Sequence, residues 1–243
     1  MRVTGNKRIN TYRLSIRVST DGFSLYIYKV GESKPSEHQH VPIAEGESPH
    51  STLERALTRE RLTELQYEEV EMVVDAPATR IPLEEFQREE MKALYQLTFP
   101  QTKTAQVKIC YEILPYLEVV EVFAVDRQLL NMLTALFPEV QLHSSQGRIL
   151  ENAAKGMHRK SLSGKCMFVS RISTGILLYV LKNKGLHFAC TYDVVNQSDM
   201  LYHVLHAWKE LNMNVLEDCC MLQGCDGLLE DLSKYIKNVR TCE

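Results

Sequence analysis

Two short segments of this 243-residue sequence place hydroxyls beside glycine after an apolar strand-like run. Ser19, Thr20 and Gly22 follow Tyr12 to Val18, and Ser173, Thr174 and Gly175 follow Cys166 to Ile172. Glycine at a hairpin turn lets backbone amides approach phosphate closely, and neighbouring hydroxyls add donors. Facing each other, the two turns would clasp a phosphate chain. The competing reading is plain structural hairpins, in which glycine serves only the turn.

Other chemistry-bearing residues are less organised. Asp21 lies in the first turn, the second turn has no carboxylate, and Asp75 ends the run Val70 to Asp75. Asp75 reads either as a carboxylate of a functional cleft or as a turn aspartate capping local amides. His38 and His40 fall in a polar stretch, and His203 and His206 stand three apart on a helical pattern. Zinc would need two further ligands from elsewhere. Cys219, Cys220 and Cys225 lack the paired spacing of a zinc or thioredoxin-like site. No G-x-S-x-G elbow occurs. No metal site is expected.

The elements that must position these residues follow from periodicity. Tyr12, Leu14, Ile16 and Val18 alternate, a turn follows at Asp21 and Gly22, and Phe23 to Val30 alternates again, which predicts a hairpin. A loop leads to a short third strand near His40 to Ile43. Ser51 and Glu54 have capping-box spacing ahead of a helix carrying Leu53, Ala56, Leu57, Leu62 and Leu65. The strand Val70 to Asp75 comes next, and Pro82 opens a helix through Leu83, Phe86, Met91, Leu94 and Leu97. The C-terminal third repeats this order: strands at Cys166 to Ile172, Ile176 to Leu181 and Leu186 to Tyr192, a helix from Ser198 to Leu211, a strand, and a last helix through Leu228, Leu232, Ile236 and Val239. Both halves read βββαβα. RVSTDGFSLYIYKVG from Arg17 parallels RISTGILLYVLKNKG from Arg171, with one residue missing at the turn.

Between the halves lie a hairpin from Val107 to Val122, a helix capped by Asp126, a short strand at Val140 and Leu142, and a helix from Ser144 or Ser145. The glycine-containing connection from Gly156 to Lys165 marks the boundary between lobes.

This order resembles the actin-like ATPase superfamily, an α/β fold of two ribonuclease H-like lobes of βββαβα type with a nucleotide in a central cleft. The resemblance covers nearly the whole chain. It implies a first lobe at 1–157, with an inserted hairpin at about 105–122, and a second at 158–243. The middle segment is similar to type IV pilus assembly proteins and their type II secretion relatives, actin-like scaffolds of the cytoplasm. The STDGFS hairpin resembles a small bacterial family of actin-like fold. LQGCDGLLEDL, with Gly224 and Gly227, resembles the turn and helix bordering adenine in the superfamily; there a second glycine usually follows the first, and here Cys225 stands in its place. The bland alternative is that these glycines serve a strand-to-helix turn.

The resemblance also implies an Asp at the end of each first strand, organising magnesium. Val18 or Ser19, and Ile172 or Ser173, occupy those positions. Magnesium is held through carboxylates and retained water, and phosphoryl transfer depends on the positioned metal. The expected function is therefore a non-catalytic scaffold that binds a partner protein through a lobe surface or the 107 to 157 segment. The alternative is an ATP-binding protein or weak ATPase using the two hairpin turns as phosphate loops. A ribonuclease H-type nuclease would need several carboxylates at strand ends, and the first strand offers none at its centre.

Composition narrows the class. Hydrophobic residues make up 44% and charged residues 24%, as in an ordinary soluble domain. A net charge of −3 gives no attraction to nucleic acid. Met1 to Tyr12 lacks the apolar core of a signal peptide, no apolar run approaches the roughly 20 residues of a membrane span, and the expected compartment is the cytoplasm. The seven cysteines are expected as reduced thiols.

Overall fold

The computed structural model describes residues 11–160, 164–183 and 185–242, without side chains at 159 and 160. The reading of residues 1–10 as free of a signal peptide lies outside the described residues. In chain order the elements are β1 (Tyr12–Ser19), β2 (Gly22–Lys29), β3 (Glu37–Pro42), α1 (Pro49–Arg59), β4 (Tyr67–Val74), β5 (Ala78–Pro82), α2 (Met91–Thr98), β6 (Val107–Leu114), β7 (Val119–Asp126), α3 (Arg127–Leu136), β8 (Gln141–Ser144) and α4 (Ser145–Lys160). There follow β9 (Lys165–Ile172), β10 (Gly175–Lys182), β11 (Gly185–Asp193), α5 (Gln197–Glu210), β12 (Cys219–Gln223), α6 (Leu229–Ser233) and β13 (Asn238–Thr241).

Two five-stranded sheets have the same strand order, β3-β2-β1-β4-β8 and β11-β10-β9-β12-β13, while β5-β7-β6 form a third. In each large sheet the first three strands are antiparallel, and the fourth and fifth run parallel to the first. By contact the chain divides into two units: Met1–Ala78, Glu90–Cys110 and Phe123–Ser145 in the first, and Thr79–Glu89, Tyr111–Val122 and Gln146–Glu243 in the second.

The first unit buries Leu14, Ile16, Phe23 and Leu25 from one sheet face against Leu53 and Leu57 of α1 and Leu129, Leu130 and Leu133 of α3. The second buries Met167, Val169, Ile176 and Leu178 against Val204, Ala207 and Trp208 of α5. These core positions pair at one constant offset: 167 − 14 = 153, and 176 − 23 = 153. Both hairpins have two-residue turns, because Ser19 pairs with Gly22 and Ile172 with Gly175.

That offset corrects the sequence alignment of the two Arg-x-Ser-Thr stretches, which matched Arg17 to Arg171 at 154 and placed a gap in the turn. A one-residue slip along a strand moves every side chain to the opposite face. Arg17 accordingly lies over the Tyr26 ring on the face away from the core, 4.8 Å from the ring centroid, whereas Arg171 reaches Met200 of α5. The hairpins correspond; their Arg-x-Ser-Thr letters do not.

The second sheet faces also differ. In the first unit this face carries Arg13, Ser15, Arg17, Ser24, Tyr26 and Tyr28. In the second, the equivalents of Ser15, Ser24 and Tyr28 are Phe168, Leu177 and Leu181, buried against Leu150, Ala154 and Met157 of α4.

Four local expectations are overturned. Ser51 is inside α1, whose N-cap is Ser48 followed by Pro49, a residue suited to the first helical position. Pro82 ends β5 instead of opening a helix, and α2 begins at Met91. The last helix stops at Ser233, and Val239 lies in β13 beside Cys220, so its apolar character serves a strand. Cys166 and Cys219, expected as thiols, form a disulfide between adjacent parallel strands where the two residues are in direct register. The Asp126 cap is present: its carboxylate accepts the Leu129 amide at 2.8 Å.

Candidate functional site: two hairpin turns and the strand ends beside them

In the first unit the Ser19 hydroxyl lies 2.6 Å from Asp21 Oδ1 and 3.1 Å from the Gly22 carbonyl. The hydrogen bond from Ser19 is the main reason the Asp21 carboxyl is held below its usual range. Asp75 lies one residue beyond the parallel neighbour β4 and donates its amide to Val18 O at 2.8 Å. Its Oδ1 accepts the Ser145 hydroxyl at 3.1 Å. The first unit therefore brings Ser19, Thr20, Asp21 and Gly22 to the same end of the sheet as Asp75.

In the second unit Ser173 and Thr174 form the equivalent turn, and Gly224 follows β12. Gly224 has φ +65°, the left-handed region that glycine adopts freely. A Cβ there would stand 3.2 Å from Arg171 Cβ, so the glycine lets this turn press against the end of β9. Gly227 packs on Gln197, whose amide donates to Gly227 O at 2.7 Å and Asp231 Oδ2 at 3.0 Å. Ser173, Thr174, Gly175 and Gly224 are thus gathered at one sheet end, with Gly227 one turn further on.

Gly22 and Gly175 have a shared structural reason. A Cβ on Gly22 would meet Val41 O at 2.3 Å, and one on Gly175 would meet Tyr192 O at 2.1 Å. In both hairpins the third strand's backbone runs across the start of the second, at a distance no side chain tolerates. The same glycine therefore recurs at the 153-residue offset whether or not a phosphate is bound.

The equivalences show where carboxylates stand. Leu14 pairs with Val70 and Met167 with Cys220, so β4 and β12 correspond at 220 − 70 = 150. Asp21 then corresponds to Thr174, and Asp75 to Cys225. The Cys225 thiol is pushed up chiefly by burial, and burial likewise drives Cys220 up to about 12. Such thiols stay protonated at neutral pH and are weak nucleophiles and metal ligands. Among the described residues no group of three or more His, Cys, Asp or Glu is arranged to hold a metal. His38 stacks on Tyr26, His40 lies 3.3 Å from the Ser24 hydroxyl, and His203 and His206 stack on Tyr192 and Tyr202.

Residues 4–239 match the family described as "Protein of unknown function (DUF3822)". The chain belongs to that family. A comparison with curated proteins found no match. Among solved structures, the chain is similar to a Bacteroides thetaiotaomicron protein with actin-like ATPase fold and unknown function, with TM-score 0.81 and 24% identity over 99% of this chain and 94% of that one. It is also similar to a chain of the PilM-PilN type IV pilus biogenesis complex, with TM-score 0.50 and 10% identity over 97% and 89%. This member of the family therefore has an actin-like ATPase fold. No helix among its described residues is long and apolar enough to cross a membrane.

Sequence reasoning missed one polar cluster. Arg80 on β5 pairs with the buried Glu121 of β7 and with Gln146, and the carboxylates of Glu112 and Glu121 lie near Gly147 in the first turn of α4. A Cβ on Gly147 would be 3.3 Å from Glu112 Oε2 and from Glu121 Oε1. The partial positive charge of a helix start favours both carboxylates. No local spacing announces this cluster, since Arg80, Glu121 and Gln146 are distant in sequence.

Proposed function

We propose that this chain is a non-catalytic scaffold of the cytoplasm that works by binding a partner protein and takes no nucleic acid. The lobe division we propose, 1–157 and 158–243, follows the order of the elements, whereas by contact residues 146–157 group with the second unit. The observation that carries the reading is the asymmetry of the carboxylates: Asp21 and Asp75 in the first unit correspond to Thr174 and Cys225 in the second. Magnesium is held through carboxylates and water, and phosphoryl transfer without a positioned metal loses its main electrostatic support. The engaged state of the remaining carboxylates adds to this, because Asp21 accepts from Ser19 and Asp75 from Ser145. Similarity to a PilM-PilN chain supports partner binding. The net charge of −3 supports a protein partner over a polyanion.

A second reading is ATP binding with weak hydrolysis. One observation favours it. The Ser173–Thr174 turn and Gly224 follow the C-terminal ends of the parallel strands β9 and β12, where α/β proteins commonly bind ligands. A hydrolysis assay with magnesium-ATP separates the two. Scaffold function is expected to show no phosphate release above a protein-free blank. Turnover that falls when Ser173→Ala and Thr174→Val are introduced would establish the ATPase reading instead.

A further inference from the structure

We propose that the second unit holds a binding pocket for a neutral, planar heteroaromatic molecule, between α4 and the sheet face formed by β9, β10 and β12. The cavity measures about 460 Å³, within the range of small-molecule sites. Among the described residues no Asp, Glu, Lys, Arg or His lines it. A charged ligand would lose hydration there without gaining a counter-charge, so phosphates and carboxylates are disfavoured and a neutral one fits.

The walls set the shape. Phe168 and Tyr179 lie in parallel planes 3° apart with ring centroids at 5.0 Å, and Met157 and Met221 add thioethers, which pack well against ring edges. Asn152 and Gln223 bring amide groups of both hydrogen-bonding senses. Tyr179 has 0% exposure, and its hydroxyl, beside Ser170, makes no well-formed hydrogen bond. The neighbouring Ser170 hydroxyl donates to Gln223 Oε1 at 3.0 Å instead. A buried hydroxyl without a partner is costly. The hydroxyl is closed off in the unliganded chain, so a ring carbonyl on the ligand would accept its proton once the side chains over it move aside.

Gly156 is a second, independent sign. It lies within α4 and lines the cavity, yet a Cβ at that position would meet nothing within 4 Å. Packing therefore does not require glycine, which destabilises a helix interior relative to alanine. What its missing side chain preserves is the opening.

The test is a titration of the full chain, with methyl-labelled methionines, against hypoxanthine, uracil and lumichrome, following the Met157 and Met221 resonances by NMR. At least one compound is expected to shift both resonances saturably. Gly156→Leu is expected to abolish the shift while the melting temperature stays equal or rises, with Gly156→Ala intermediate. Tyr179→Phe is expected to weaken binding by about three- to tenfold, the worth of one hydrogen bond. The pocket proposal is overturned if no compound saturates either resonance, or if Gly156→Leu binds with unchanged affinity. Unchanged affinity in Tyr179→Phe overturns its role as donor.

Discussion

Arg80 donates from Nε to Glu121 Oε2 at 2.8 Å where the Glu121 side chain has 0% exposure and the Arg80 side chain 10%. A second guanidinium nitrogen donates to Gln146 Oε1 at 2.6 Å, which ties β5, β7 and the start of α4 together within the second unit. Burial of both side chains makes breaking the pair costly.

Removing one partner breaks a buried charge pair, so Arg80→Ala or Glu121→Ala is expected to destabilise the fold by about 3–5 kcal/mol. Replacing both with apolar residues of similar volume should cost far less. Urea unfolding of the two single variants and the double variant measures this; additive losses in the double variant would contradict it.

Gly22→Val and Gly175→Val are expected to lower stability whether or not nucleotide is present. A glycine-type backbone conformation alone costs about 1–3 kcal/mol for other residues, and the carbonyls of Val41 and Tyr192 leave no space for a Cβ. Thermal melts of the unliganded variants check this. Loss of a nucleotide response in these variants would therefore say nothing specific about phosphate, which is why the hydroxyl variants at Ser173 and Thr174 are preferred.

Glu151 is 9% exposed, its Oε2 lacks a hydrogen bond, and burial raises its pKa above the ordinary 4.5. Glu112 adds to the rise, while Lys155, a backbone bond from Tyr116, and His158 oppose it. Since the folded state then binds the proton more tightly than the unfolded one, this group lowers stability as pH rises through the ordinary value toward the folded pKa. Glu151→Gln is expected to melt higher than wild type at pH 7, with the difference vanishing once pH falls below the ordinary value. A difference that persists or grows under acid would contradict the assignment.

Of the seven cysteines, Cys166 and Cys219 are joined in a disulfide and the other five remain thiols. Thiol counting on denatured protein purified without reductant should give five, rising to seven after reduction. Seven before reduction would contradict the pairing. A cytoplasmic location would tend to keep the pair reduced in the cell, which makes the purification condition part of the test.

The fold was largely legible because strand alternation and helix periodicity are local signals. Leu14 and Ile16, or Met167 and Val169, announce their strands without reference to the rest of the chain. Register was not legible, because an Arg-x-Ser-Thr match of letters outweighed the apolar alternation that sets which face is buried. β13 was missed since its short apolar content continues the helical pattern of Leu228 to Ile236. The Cys166–Cys219 pairing joins strands 53 residues apart, and the Arg80–Glu121 pair joins residues 41 apart; neither leaves a spacing to read. At the turns, sequence offered Ser19, Thr20, Gly22, Ser173, Thr174, Gly175, Gly224 and Gly227 as candidates for holding a nucleotide. Only packing shows that Gly22 and Gly175 answer to a crossing backbone.

The scaffold account is tested most directly by thermal unfolding with and without millimolar magnesium-ATP. A ligand at a hundredfold excess over its Kd stabilises by about 2.7 kcal/mol, roughly 5–10 °C for a chain of this size. The account expects curves that coincide. A rise of several degrees that disappears in Ser173→Ala/Thr174→Val protein would contradict it.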